Sequence, residues 1–265
     1  MTPSLFRADV VPAVGGSVVL DGPEGRHAGS ALRVRPGEAI RVGDGRGAVA
    51  DCVVTTTSSG RVEAEVVSRL DVPRPTPEVT VVQALPKSER SELAVELATE
   101  AGADRIVPWQ AERCVSRWTG PKVDKGRAKW ANAARAAAKQ SRRAWEPEIG
   151  DLVDSTALAA LVASEVDAGA RALVLHEEGA TGFADAVTAA GPVRRVLVVV
   201  GPEGGVSDAE LGALTAAGAG PVILGPEVLR TSTAAAVALG ALGVLTPRWS
   251  DPGSTLDPTP PRHGK

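Results

Sequence analysis

Three prolines within five residues, Pro73, Pro75 and Pro77, split this 265-residue chain into two stretches with different periodicities. Each proline removes a backbone donor and fixes φ, so Asp71 to Glu78 is expected to run extended as a linker. On its amino side apolar and polar residues alternate, most plainly in Arg61, Val62, Glu63, Ala64, Glu65 and Val66. That is the period of a half-buried strand. Similar runs at Ser17 to Leu20, Ala39 to Val42 and Ala48 to Val54 are divided by turn residues at Pro36-Gly37, Gly43-Asp44-Gly45 and Ser59-Gly60. A small β-barrel is predicted.

Beyond the prolines, short apolar runs alternate with helical segments. Val79 to Leu85, Ile106 to Trp109, Ala172 to His176, Val196 to Val200 and Val222 to Leu224 are predicted to be buried parallel strands. Helices are expected at Ser88 to Ala101, where Leu93 and Leu97 share a face, and at Lys125 to Ser141, Phe183 to Ala190, Ser207 to Ala217 and Ser232 to Leu245. The second domain is therefore α/β. From Ser250 onward the chain has four prolines and almost nothing apolar, so it is expected to be disordered. The expected divisions are residues 1–72, 73–78, 79–249 and 250–265.

Composition excludes several classes. At 43% hydrophobic and 23% charged, the chain is neither coiled coil nor collagen nor a disordered polymer. The longest charge-free apolar stretch, Thr231 to Pro247, is broken by Gly240 and Gly243 and is too short to cross a bilayer comfortably. No export signal is expected, and the cytoplasm is the expected compartment. Cys52 and Cys114 lie far apart, and His27, His176 and His263 follow no ligand spacing, so neither a disulfide nor a metal is expected.

Charge is unevenly placed. Arg113 to Trp145 holds ten Lys and Arg against the single acid Asp124, a local +9 in a chain of net −3. Arg135, Lys139, Arg142 and Arg143 are spaced to share a helix face, which is either simply solvated or one whose repelling like charges a polyanion would relieve. Trp118, Trp130 and Trp145 are interleaved with this run, available either for stacking on bases or for core packing.

Two loops at strand ends stand out. The first runs Gly201, Pro202, Glu203, Gly204, Gly205, then Val206 and a capping box from Ser207 to Glu210. The second runs Gly225, Pro226, Glu227, Val228, Leu229, Arg230 into Thr231 and Ser232. Glycines let a backbone approach a ligand closely, and a new helix offers free N–H groups. Neither loop is a GxxxxGK[ST] or GxGxxG motif, which disfavours nucleoside triphosphates and NAD. A pocket of backbone groups and small apolar walls suits a flat heterocycle with a zwitterionic tail, such as an adenosyl amino acid.

GPEGG followed by SDAEL, and LGPEVLRTSTAA from Leu224 to Ala235, resemble the cofactor motifs of the RsmE family of ribosomal RNA methyltransferases, of the SPOUT class. RHAGSALRVRPGE (Arg26 to Glu38) with Asp44-Gly45 resembles that family's PUA-like domain. ELATEAGADRIVPWQAERC (Glu96 to Cys114) and KQSRRAWEPEI (Lys139 to Ile149) resemble further family stretches, in order over roughly residues 4 to 248. The resemblance implies a PUA-like β-barrel followed by a SPOUT α/β domain with a trefoil knot, a homodimer, and methylation of uridine N3 in 16S rRNA or the small ribosomal subunit. It also implies that Leu175, His176, Gly201, Pro202, Glu203, Gly204, Gly205, Leu224, Gly225, Leu229 and Thr231 hold S-adenosylmethionine, His176 either lining the pocket or merely capping it.

Uridine N3 becomes a nucleophile only on losing its proton, so a cation or a base is needed at the reacting atom. Arg230 is the expected cation, unless it pairs with Glu203 or Glu227 to stiffen the loops. Glu100 is either a base or part of the solvated stripe Glu92, Glu96 and Glu100. Arg26, His27, Arg33, Arg113, Arg135, Lys139, Arg142 and Arg143 are the expected RNA contacts, although His27 could equally be a packed turn residue. Lys139 stands where many relatives carry Glu. Helix Ala234 to Leu245 is either dimer interface or core. Other functions compatible with the sequence are a catalytically silent RNA-binding ribosome-assembly protein, an α/β nucleotide-binding enzyme that does not act on RNA, and a 2′-O-ribose methyltransferase.

Overall fold

The computed structural model describes residues 3–58, 60–87, 90–189 and 191–249; the expected tail, 250–265, lies outside them. The chain forms two compact units. Among the described residues the first comprises 3–74 and 138–146, and the second 75–137 and 147–249.

In the first unit, β1 (Leu5–Arg7), β2 (Ser17–Leu20), β3 (Ala39–Gly43), β4 (Ala48–Ser58) and β5 (Arg61–Asp71) form one sheet in the order β1-β3-β4-β5-β2. β1 runs parallel to β3 and the other pairings are antiparallel. The alternation of β5 has its expected result: Val62, Ala64 and Val66 are buried with Phe6, Leu20, Ile40 and Val42, while Arg61 and Glu65 face water. No ladder joins β1 to β2 among the described residues, so the strands predicted as a barrel form a sheet that is open at that seam.

Between β2 and β3 lie α1 (Gly22–Arg26) and a π-helical turn, His27–Ala31, neither of which the strand periodicity announced. A Cβ on Gly25 would sit 2.2 Å from the carbonyl oxygen of Gly60, so only glycine lets α1 reach the β4–β5 turn. Residues 138–146 belong to this unit through main-chain pairing. Gly47 N donates to Ala144 O, Glu146 N donates to Gly45 O, and Trp145 Nε1 donates to Val72 O at 2.9 Å.

Among the described residues the second unit has seven parallel strands and six helices. The strands are β6 (Glu78–Ala84), β7 (Arg105–Trp109), β8 (Glu148–Ile149), β9 (Arg171–Leu175), β10 (Thr181–Gly182), β11 (Arg195–Val200) and β12 (Gly220–Ile223), ordered β10-β12-β9-β11-β6-β7-β8. The valines of β6 and β11 are at most 2% exposed, and each contributes about 1.5–3 kcal/mol by leaving water. Six helices cover the sheet: α2 (Ser91–Glu100), α3 (Pro121–Gln140), α4 (Ser155–Asp167), α5 (Phe183–Thr188), α6 (Asp208–Ala216) and α7 (Thr231–Leu245). α4 was not among the expected helices. Its signals are an N-cap, Asp154 accepting from Ala157 N, and Leu158 and Val162 buried four residues apart.

α2 turns a different face inward from the one Leu93 and Leu97 define. Ala94, Val95 and Ala98 are buried, while Leu93 is 39% exposed. Small side chains on α2 permit close packing against Ala-rich α7. The tryptophans of the basic run are packing residues. Trp130 is fully buried and donates to Ser91 Oγ, and Trp118 meets it edge-on at 5.2 Å. Trp145 lies over Gly47, with the Arg74 guanidinium 4.3 Å from its ring centroid.

Candidate functional site

The order of the parallel sheet selects one crevice. From β6 the chain crosses to β7 on one side, whereas from β11 it crosses to β12 on the other, so the direction of winding reverses between β6 and β11. Ligands of open parallel sheets bind outside the carboxyl ends of the strands at such a point. Both glycine loops leave from this edge, one after β11 and one after β12.

The first loop is held from three sides. Gly205 N donates to Pro202 O at 2.9 Å, and Gly205 adopts φ +76°, a conformation that favours glycine. Glu203 Oε1 accepts from Lys87 N at 3.2 Å, tying the loop to the end of β6. Arg113 Nη1 donates to Gly204 O at 3.3 Å, and a Cβ on Gly204 would stand 3.0 Å from that of Arg113. The loop's glycines therefore serve its own packing as well as any ligand.

Behind the loop sits Glu210, only 6% exposed. Its Oε1 accepts from Glu112 N at 2.7 Å and from Ser155 Oγ at 2.5 Å, and its Oε2 accepts from Ser207 N at 3.0 Å. One carboxylate thus joins the starts of α6 and α4 to the loop after β7. Burial pushes this carboxyl up, but the Ser155 hydroxyl and the Glu112 and Ser207 donors outweigh it and leave Glu210 below its ordinary value. Stability from the ionised group is present above the unfolded glutamate value and is lost as pH falls through the lower folded one. Glu210→Gln is accordingly expected to cost about 1–3 kcal/mol at neutral pH. It should also flatten the acid limb of stability, as measured by urea midpoints from pH 7 to pH 3; an unchanged acid limb would exclude this role.

The second loop ends at α7, whose N-cap is Arg230, with φ −67° and ψ 146° and no side-chain cap. Below it, Gln83 on β6 is 1% exposed and donates to Thr231 O at 3.2 Å, so the start of α7 is anchored on the central strand. Gln83 Oε1 and Ser232 Oγ are buried and find no partner among the described residues. At the end of β9, His176 N donates to Val222 O, and His176 Nδ1 accepts from Glu178 N at 3.2 Å. A Cβ on Gly179 would stand 2.5 Å from the backbone of Val222, so that turn lies against β12.

Comparison with known proteins follows this geometry closely. Residues 73–243 match the family of RNA methyltransferase domains, and residues 20–67 match the RNA methyltransferase PUA domain. The chain is 54% identical over 257 residues to ribosomal RNA small subunit methyltransferase E of Mycobacterium tuberculosis, covering 97% of each chain. It is 30% identical to the protein of the same name from Bacillus subtilis, covering 86% of this chain and 90% of that one. The chain belongs to this methyltransferase E family. Among solved structures, the family's representative from Neisseria gonorrhoeae, bound to S-adenosyl methionine, superposes with a TM-score of 0.80 at 27% identity, covering 92% of this chain and 98% of that one.

In this family member the carboxyl edge of the sheet brings together Leu175, His176, Gly201 to Gly205, Leu224, Gly225, Leu229, Arg230 and Thr231, with Arg113 beside the first loop. Arg230 is exposed, and no ion pair joins it to Glu203 or Glu227 among the described residues. Glu100 is not brought to this edge. α2 runs back from the carboxyl end of β6, so its last residue lies at the amino ends of the strands, exposed to water. A depression of about 410 Å³ also lies at the amino ends, lined by Gly169, Arg171 and Gly220 among others, and holds none of the expected residues.

The remaining cations separate. Arg26, His27, Arg33, Lys139, Arg142 and Arg143 all fall in the first unit, whereas Arg113 and Arg135 fall in the second. Gln83, Ser155 and the bridging part of Glu210 escaped sequence reasoning. Only Gln83 carried a visible signal, as a polar residue inside an apolar strand. Among the described residues no cluster of His, Cys, Asp or Glu could hold a metal, and no helix is long and apolar enough to cross a membrane.

Proposed function

We propose that this chain transfers the methyl group of S-adenosylmethionine to N3 of a uridine in 16S ribosomal RNA, acting in the cytoplasm as a knotted homodimer. The observation that carries the proposal is the pair of glycine loops that leave β11 and β12 on either side of β9, next to the β6/β11 reversal, tied to neighbouring segments by Lys87–Glu203, Arg113–Gly204 and Gln83–Thr231. The residues present fit such a cofactor. Exposed glycines 204, 205 and 225 leave backbone open to a heterocycle, and buried Gln83 Oε1 and Ser232 Oγ lie beneath the loops without partners among the described residues. Leu175, His176, Pro202, Glu203, Leu224, Leu229 and Thr231 complete the pocket.

When bound, the sulfonium supplies an electrophilic methyl group. The protein's task is to align the attack and to favour the N3 anion over the protonated imide. Arg230, on the mouth side of the second loop, places its positive charge at the developing imide anion. Glu100, at the end of α2 on the amino side of the sheet, is given no role in this proposal. The proton leaves to solvent or to a group on the substrate side.

Dimerisation is supported by the two faces of α7. Ala235, Ala238, Leu239 and Leu242 are buried, while Val237 and Val244 are 46% and 76% exposed. Standing seven residues apart, Val237 and Val244 share one outward face of α7, which a second copy of the chain would cover. The functional test is nucleoside mass spectrometry of ribosomal RNA from a strain lacking the gene. Loss of one base-methylated uridine, restored by the intact gene, is the expected result; loss of a ribose methyl would redirect the chemistry, and no loss would overturn it. Calorimetry with S-adenosylhomocysteine tests the cofactor independently, and a protein that does not bind it is a silent RNA binder.

A further inference from the structure

Lys139 stands in the basic run, yet its ammonium lies 2.6 Å and 2.8 Å from the two oxygens of Glu24. The two side chains are 23% and 26% exposed, and the Lys139 ammonium lies 5.5 Å from the centroid of the buried Phe6 ring. His27 lies on the same ring at 5.9 Å. Glu24 also accepts from Arg7 N at 3.0 Å, and Arg7 then reaches the segment after α3 twice, donating to Arg143 O at 3.1 Å and pairing with Glu146 at 3.0 Å. The turn that follows α3 is therefore fastened at both ends, to Glu24 of α1 and to Arg7 of β1, within the first unit.

Between those fastenings sits Arg142, exposed, at φ +58°. Arg33, at φ +54°, shares this conformation and no other described non-glycine residue does. Left-handed backbone costs a non-glycine residue about 1–2 kcal/mol and persists only where its surroundings enforce it. Glycine would take this conformation at lower cost, and the Arg142 side chain is the exposed part of the turn.

We infer that Lys139 is a positioning residue: its pair with Glu24 clasps the turn onto α1 and thereby presents Arg142 to RNA phosphates. Reaching a phosphate itself would require Lys139 to break two charge-assisted hydrogen bonds in a half-buried setting. This rests on the chain acting on ribosomal RNA.

The two roles predict opposite signs for Glu24→Gln. If Lys139 touched phosphate, the substitution would free a cation and remove a repelling carboxylate, so RNA would bind more tightly. As a clasp its loss weakens binding of in-vitro-transcribed 16S RNA about tenfold, with S-adenosylhomocysteine affinity unchanged. The swap Glu24→Lys with Lys139→Glu re-forms the pair and recovers most of the RNA affinity. Tighter or unchanged RNA binding by Glu24→Gln overturns the clasp, as does a swap that recovers nothing. If Glu24→Gln loses S-adenosylhomocysteine binding as well, the swap alone decides. Intact protein that shows no salt-steep RNA affinity would instead defeat the RNA reading on which the clasp rests.

Discussion

Arg230→Ala is expected to slow methyl transfer by about 10²- to 10³-fold, the loss seen when one donor to a developing anion is removed. Affinity for S-adenosylhomocysteine should stay close to that of the intact protein. The residue is exposed and caps α7 through its backbone, so truncating its side chain leaves both the loop and the helix start in place. Gln83 still anchors Thr231 from below. Arg230→Lys keeps the charge but not the planar fork, and should recover part of the rate. Single-turnover transfer of a labelled methyl group to 16S RNA measures both. A loss of only a few fold in Arg230→Ala would remove Arg230 from the chemistry.

Asp104→Ala should be the most damaging single change to stability. Asp104 and Arg248 are 3% and 7% exposed, and they pair at 2.7 Å. Asp104 Oδ2 also accepts from Val79 N at 2.8 Å, and Arg248 donates to Pro77 O and Gly102 O. The pair fastens the turn after α7 to the amino end of the central strand. Removing the carboxylate leaves a buried guanidinium without its counter-charge, at a cost of about 3–5 kcal/mol. For a chain of this size that is a fall in Tm of roughly 10 °C. Replacing both partners, as in Asp104→Leu with Arg248→Met, should return much of the loss, because no charge is then buried alone. Thermal unfolding of the three variants decides it, and a fall of only a degree or two in Asp104→Ala would show that the remaining carbonyls suffice.

The contrast between the two halves of the chain was readable because strand periodicity is local. Val62, Ala64 and Val66 point inward wherever β5 is placed, and an all-valine run such as Val198 to Val200 can only be buried on both faces. The helices were readable where a cap or a glycine marked them, as at Ser207. α4 was overlooked because its alanines blur the apolar stripe, and α1 because five residues are too few to show a period. The glycine loops were identifiable as loops from composition and position. Their ties were not, since Glu203–Lys87 and Gly204–Arg113 span 116 and 91 residues.

Residue types and their spacing determined the two domain classes, the strands, the glycine loops and the segment that carries the positive charge, because each of these depends on neighbours within a turn or two. Tertiary structure alone decided that β6 and β11 lie side by side, that Glu100 falls at the far edge, that Glu210 bridges three segments, and that Lys139 faces Glu24. These are choices among partners distant in sequence, made by which faces can be buried together and which charges must then be paired.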